Sequence, residues 1–228
     1  MRTRPIALLR GSLMAAVLTA GLAAQTPGVH PISGRRYAPV MGYQGAPWLE
    51  RSEREDEEAP DVALNVLKIA RGTSVADIGA GSGYLTVRLA ARVGPAGHVF
   101  ATDVQPQMLN ILARRLSDRK ITNVTLIEGT LDDPKLPPAS VDLALMVDVY
   151  HELSQPQAIL RHLREALKPG GRLVLLEYRK EDVTVPIKPE HKMSVAEAKM
   201  EVEAEGFTLS KVDEALPRQH ILIFVATP

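Results

Sequence analysis

From Pro60 to Tyr178 the chain alternates short apolar runs with stretches of helical period, and this rhythm restricts the fold more than any other feature. Asp61 to Ile69 carries Val62, Leu64, Leu67 and Ile69 in helical order and is closed by Gly72. Ser74 to Ile78 reads as a buried strand, Tyr84 to Arg92 as a helix with Leu85 and Leu89 on one face, and His98 to Thr102 as a second strand. A helix from Gln105 to Arg119 with Met108, Leu112 and Leu116 follows, then strands at Val124 to Glu128 and Val141 to Val147. A helix at Gln155 to Leu167, a turn at Lys168-Pro169-Gly170-Gly171 and a strand at Arg172 to Tyr178 complete the series. Strands alternating with helices predict a doubly wound α/β fold, a mostly parallel sheet with helices on both faces. The tail differs. A helix at Ser194 to Glu205 precedes Thr208 to Val212 and His220 to Ala226, which predict a terminal antiparallel strand pair.

A length of 228 residues suits one such domain, and no internal repeat divides it. Residues 1–24 read as a signal peptide: Arg2, Arg4 and Arg10 without an acid, then an apolar run of small residues from Leu13 to Ala24. The run is shorter than the roughly 20 residues of a membrane span, so no stable span is expected. Cleavage after Ala24 would leave 24 basic and 27 acidic residues, a net charge of −3. That balance argues against nucleic acid as a partner, and it implies no oligomeric state. The sequence predicts an exported, periplasmic protein, or a cytoplasmic one if translation starts at Met41. Residues 25–58 form an N-terminal arm, and 59–228 the α/β domain. In the arm, Trp48 opens a charged stretch, Leu49 to Glu58. This is either a solvated helix face or a lid over a ligand with Trp48 as its packing anchor.

Chemistry concentrates where the first strand ends, at Asp77-Ile78-Gly79-Ala80-Gly81-Ser82-Gly83. Glycines at that junction let backbone approach a ligand closely, and the open end of a doubly wound sheet is where ligands bind. Asp103, at the end of the second strand, is placed to accept both hydroxyls of a ribose. The glycine spacing is not that of a dinucleotide site, and Asp77 would repel a phosphate. A carboxylate there suits a ligand with an ammonium or sulfonium group, and S-adenosylmethionine carries both beside an adenosine.

Val75 to Tyr84 resembles the first motif of class I S-adenosylmethionine-dependent methyltransferases, and Asp103 matches their ribose-binding acid. Val141 to Asp148 resembles their fourth-strand motif, and Leu167 to Leu173 the turn into their fifth strand. The resemblance implies a seven-stranded sheet and S-adenosylmethionine as cofactor. It is closest to small-molecule enzymes related to quinone-modifying methyltransferases. Pro31 to Arg35 and Val185 to Pro189 also resemble bacterial exported methyltransferase-like proteins. Carried over, Gly79, Ala80, Gly81 and Gly83 would line the methionine part, with Asp77 near its amino end. Asp103 would hold the ribose, and Val104 and Met108 would flank the adenine. In this family an acid often follows the third strand. Here Thr130 and Leu131 stand there, with Asp132 or Asp133 as the substitute acid.

The fourth strand ends Asp148-Val149-Tyr150-His151-Glu152, which this fold places over the cofactor's sulfur. His151 is the candidate catalytic base or substrate contact, and Asp148 either contacts the cofactor or orients His151. Glu177 to Lys180 could face an anionic substrate, and His191-Lys192-Met193 could close the pocket. Cysteine is absent, which removes thiol-dependent methyl-transfer chemistry. The six histidines show no metal-ligand spacing, so no metal is expected. The expected activity is methyl transfer to a small-molecule acceptor. The alternatives are a catalytically silent cofactor-binding protein and a protein isoaspartate methyltransferase, of which Gly81 to Tyr84 is a faint echo.

Overall fold

A computed structural model describes residues 28–227. The signal-peptide reading of residues 1–24, and its cleavage after Ala24, lie outside the described residues.

Seven strands form one sheet: β1 Ser74–Ile78, β2 His98–Asp103, β3 Val124–Glu128, β4 Val141–Val147, β5 Leu167–Tyr178, β6 Phe207–Asp213 and β7 Gln219–Ala226. Their order is β3-β2-β1-β4-β5-β7-β6. The first five run parallel, and β7 lies antiparallel between β5 and β6. The chain leaves β1 toward β2 and β3, then returns to place β4 on the other side of β1. Direction therefore reverses between β1 and β4, and the crevice at the carboxyl ends of these strands is the natural ligand site.

Seven helices accompany the sheet among the described residues: α1 Ala46–Leu49, α2 Arg54–Glu58, α3 Pro60–Leu67, α4 Tyr84–Val93, α5 Pro106–Asp118, α6 Pro156–Ala166 and α7 Val195–Glu203. Pro60, Pro106 and Pro156 open α3, α5 and α6, where a missing N–H costs nothing. Ser194 and Glu197 form a reciprocal capping box at the start of α7.

Alternation along each strand sends side chains to opposite faces. Leu143 and Leu145 join Leu64, Leu67, Leu85 and Leu89 of α3 and α4 on one side. Ala144 and Met146 join Leu160 and Leu163 of α6 and Val202 of α7 on the other. The core is thus two apolar layers around a buried sheet, the doubly wound architecture expected from the sequence.

Two local expectations shift. Lys168 to Gly171 does not stand as a separate turn but bulges within β5: Val141 pairs with Leu167, and Leu143 already pairs with Arg172. Asp142, opposite the bulge, accepts hydrogen bonds from Lys168 Nζ and Ser74 N–H at 2.9 and 2.8 Å, which holds the irregularity. The arm is also more ordered than its lack of period implies. Arg35 forks onto Glu201 of α7 through Nε and Nη2 at 3.0 and 2.9 Å, both side chains buried. Its Nη1 donates to the His151 carbonyl at 2.9 Å, which also accepts the Ala38 N–H. No helix among the described residues is long and apolar enough to cross a membrane.

Candidate functional site

A cavity of about 650 Å³ opens at the carboxyl ends of β1, β2, β4 and β5, within the range of small-molecule sites.

The glycine loop forms one end. Gly79 and Ala80 donate their N–H groups to the Thr102 carbonyl, which ties the loop to β2. Gly81 N–H donates to Asp103 Oδ2 at 2.9 Å, and Gln105 N–H to Oδ1 at 2.8 Å. Burial raises the Asp103 carboxyl above its ordinary value, against these backbone donors. Gly79, Gly81, Asp103, Val104, Met108, Thr130 and Leu131 all line the cavity. Asp77, Ala80 and Gly83 stand behind the wall. Asp77 Oδ2 accepts the Thr86 hydroxyl at 2.6 Å and so fastens α4 to β1; burial pushes its carboxyl up to about 6. Gly83 has φ +85°, and a Cβ there would run into Leu112 Cδ1 of α5. Its glycine is required by helix packing rather than by contact with a ligand.

The loop after β3 closes on itself. Thr130 Oγ1 donates to Asp132 Oδ1 at 2.6 Å and accepts the Asp133 N–H at 3.1 Å. Neither Asp132 nor Asp133 reaches the cavity, so the substitute acid after the third strand is not placed there; Thr130 and Leu131 are the lining residues.

The charged stretch after Trp48 covers the glycine loop. Leu49 Cδ1 sits 2.9 Å from where a Gly81 Cβ would be. Glu50 hydrogen-bonds to Ser82 and pairs with Arg115. Arg54 and Glu58 are buried as an ion pair at 2.6 Å. Trp48 lines the cavity beneath the Arg51 guanidinium, 3.7 Å from its ring centroid, and stays 44% exposed. The segment is a cover, and Leu49 rather than Trp48 is its anchor on the loop.

At the opposite end, Asp148 follows β4 with φ +54°. Its Oδ2 accepts from Gln219 Nε2 at 2.8 Å, while its buried Oδ1 has no hydrogen-bond partner among the described residues. Burial, with Glu58 and Glu177 nearby, holds its carboxyl well above the ordinary range. His151 lies in the short turn Tyr150–Glu152. Glu177, fully buried at the end of β5, accepts the Tyr150 N–H with Oε1 at 2.9 Å and meets His151 Nδ1 with Oε2 at 2.5 Å. Burial opposes charge on His151, but the Glu177 carboxylate outweighs it and raises the imidazole's pKa. The other ring nitrogen, Nε2, is 3.1 Å from His191 Nδ1. Burial and the neighbouring His151 lower the His191 pKa.

Sequence reasoning placed His151, Asp148 and His191 at the cavity but misread their neighbours. Glu177 does not face a substrate; it orients His151. Arg179 is engaged by Glu214 and three carbonyls, and Lys180 by Glu197. Lys192 donates to the Asp182 carbonyl, and Met193 is core. Glu152, Leu49 and Arg54 line the cavity too, although sequence reasoning assigned none of them an individual role. The run of charges at Arg54 and Glu58 carried a signal in its i,i+4 pairing.

Residues 76–173 match the methyltransferase domain family. A ubiquinone/menaquinone biosynthesis C-methyltransferase of Azotobacter vinelandii is 32% identical over 113 residues, 49% of this chain and 45% of that protein. A demethylmenaquinone methyltransferase of Listeria monocytogenes is 26% identical over 114 residues, 50% of this chain and 48% of that protein. The chain spans about half the length of the curated relatives it matches. Among solved structures, an S-adenosylmethionine-dependent methyltransferase from Aquifex aeolicus superposes with a TM-score of 0.77 at 26% identity, over 81% of this chain and 98% of that one.

Proposed function

Taking as premise that residues 76–173 belong to a class I S-adenosylmethionine-dependent methyltransferase domain, we propose that the protein transfers a methyl group to a small-molecule acceptor of aromatic or quinone-like character. The observation that carries this reading is the pairing, across one cavity, of the Gly81–Asp103 end with the His151–Glu177 end. The site fits the cofactor: Gly79 and Gly81 bring backbone without side chains to the cavity wall beside the Asp103 carboxyl, and Asp148 and His151 line the same cavity.

Bound S-adenosylmethionine would supply a methyl group already activated by positive sulfur, so that placement is the protein's main task. Asp103 would accept the ribose hydroxyls on lone pairs left beside its two backbone donors. Val104, Met108, Thr130 and Leu131 would form the adenine slot. Leu49 and Trp48 would exclude water from above. At the acceptor end Asp148 and His151 would act, with Glu177 fixing the imidazole on one side and His191 sharing its Nε2 on the other. The quinone-pathway names of the relatives support a quinone-like acceptor, and the mildly acidic mature chain supports a small molecule over nucleic acid.

Calorimetric titration with S-adenosylmethionine, followed by turnover on a panel of hydroquinones and phenols, tests the reading. Micromolar binding with methylated product is expected. Tight binding without turnover across the panel would instead support a silent binding protein, and absence of binding would overturn both.

Residues 1–24 extend the proposal to the cell envelope, since their basic start and apolar run suit export. N-terminal sequencing from fractionated cells tests this. A start near Gln25 supports export, and an intact Met1 or a Met41 start in the soluble cytoplasm refutes it.

A further inference from the structure

We propose that His151, Glu152 and His191 hold one divalent first-row transition-metal ion at the acceptor end of the cavity. Their ligand atoms lie within 4.8 Å of one another. His151 Nε2 and His191 Nδ1 are 3.1 Å apart, and Glu152 Oε1 is 3.8 Å from His191 Nδ1. A metal ion about 2.1 Å from each of two imidazole nitrogens sets those nitrogens about 3.0 Å apart in octahedral geometry and about 3.4 Å in tetrahedral geometry. The observed imidazole separation falls between the two. The Glu152 carboxylate stands farther out, within 4.8 Å of both imidazole nitrogens, and would have to swing in by roughly 1 Å to share the ion.

Two further features fit an ion. Glu177 holds the Nδ1 side of His151, so Nε2 is presented as a lone pair when Nδ1 carries the proton. This is the carboxylate–histidine–metal arrangement that fixes a ligand's tautomer and raises its basicity. All three ligands line the cavity, which leaves the remaining coordination positions for an acceptor oxygen. Burial raises the Glu152 carboxyl to about 7, so an ion binding there would have to displace its proton, while the Glu177 carboxylate supports His151 from behind. Two imidazoles and one carboxylate are a borderline donor set, which favours Zn²⁺ or Co²⁺ over Mg²⁺ or Ca²⁺.

On the methyl-transfer reading, the ion would bind an acceptor hydroxyl and make its proton easier to lose. His151 would then act as a ligand rather than remove that proton itself. Only this use of the ion rests on the methyl-transfer reading; the binding site stands on its own residues.

The test is calorimetric titration of the chelator-stripped full chain with Zn²⁺, together with visible absorption of the Co²⁺ form. One equivalent of Zn²⁺ and a Co²⁺ spectrum of mixed nitrogen and oxygen ligation are expected. His191→Ala and Glu152→Gln should each weaken Zn²⁺ binding at least about ten-fold. Glu177→Gln should weaken it about ten-fold through the orientation of His151. His162→Ala, on the exposed face of α6, should leave it unchanged. Thermal unfolding of each variant separates loss of the ligand from loss of the fold. The proposal is overturned if the stripped wild type takes up no stoichiometric Zn²⁺, which would leave the two imidazoles as a hydrogen-bonded pair. It is equally overturned if a folded His191→Ala protein binds Zn²⁺ as tightly as wild type. Parallel titration with S-adenosylmethionine keeps the two readings apart. Zn²⁺ uptake without cofactor binding supports the ion site and sinks the methyl-transfer reading.

Discussion

The Asp103 carboxylate accepts the Gly81 N–H at 2.9 Å, so the end of β2 and the glycine loop after β1 are set against each other by one charge-assisted bond. Asp103→Ala removes this tie together with the proposed ribose contact. Hydrogen bonds to a charged group contribute about 1.5–3 kcal/mol, so S-adenosylmethionine affinity is expected to fall roughly 10- to 150-fold. Calorimetry checks it, and unchanged affinity would remove Asp103 from the site.

The glycines are expected to separate by phenotype. Gly83→Ala forces a Cβ toward Leu112 at φ +85° and should cost roughly 1–3 kcal/mol of stability. Gly81→Ala, also at positive φ (+55°), meets a flexible Leu49 side chain at 2.9 Å; it should cost less stability than Gly83→Ala and weaken cofactor binding more. Urea unfolding and calorimetry on both variants would show the split, and equal destabilisation would count against it.

The cover formed by α1 and α2 should become more protected when the cofactor binds. Amide exchange in residues 46–58 is expected to slow on adding S-adenosylmethionine, while the centre of β4 stays unchanged. Leu49→Ala loses about 1–1.5 kcal/mol of buried apolar contact, and cofactor affinity should drop about five- to ten-fold. Uniform exchange with and without cofactor would refute closure.

Asp77 gives a pH dependence with a definite sign. Its folded carboxyl is raised from 3.8 to about 6, so the folded chain holds this proton more tightly than the unfolded chain does. The stabilisation is complete below the unfolded value and is lost as pH rises through about 6. The ligand-free protein should lose roughly 2–2.5 kcal/mol from this group between pH 4 and pH 7. Asp77→Asn, which can still accept the Thr86 hydroxyl, should show no such component. Urea midpoints across that range decide it.

Arg35→Met leaves buried Glu201 with only Ser33 and His30 beside it, and breaking such an ion pair costs about 3–5 kcal/mol. The double variant Arg35→Met with Glu201→Leu should recover much of that loss. A double variant no more stable than Arg35→Met would show that the ion pair is not the cause.

The cofactor end was legible in the sequence because its signals are local. Gly79 to Gly83 and Asp103 lie within one strand–helix–strand unit, and each strand's apolar run marks where it ends. The acceptor end was only half legible. His151 and Asp148 followed from the end of β4, but Glu177 read as a charge facing substrate because nothing local shows that the end of a strand is buried. The stretch from Leu49 to Glu58 reads from composition first as a solvated face and only second as a lid. Arg54 and Glu58 can be buried only because each neutralises the other, a condition that composition does not reveal.

The hold of Arg35 on Glu201 and on the His151 carbonyl divides the protein by time as well as by space. Gly81 and Asp103 meet across 22 residues, whereas Arg35 reaches His151 across 116 and Glu201 across 166. Contacts of long sequence separation form late. As the chain emerges from the ribosome, the cofactor end can therefore assemble while α7 is still unsynthesised. The acceptor end acquires its contacts with Arg35 and Glu201 only when almost the whole polypeptide has been made.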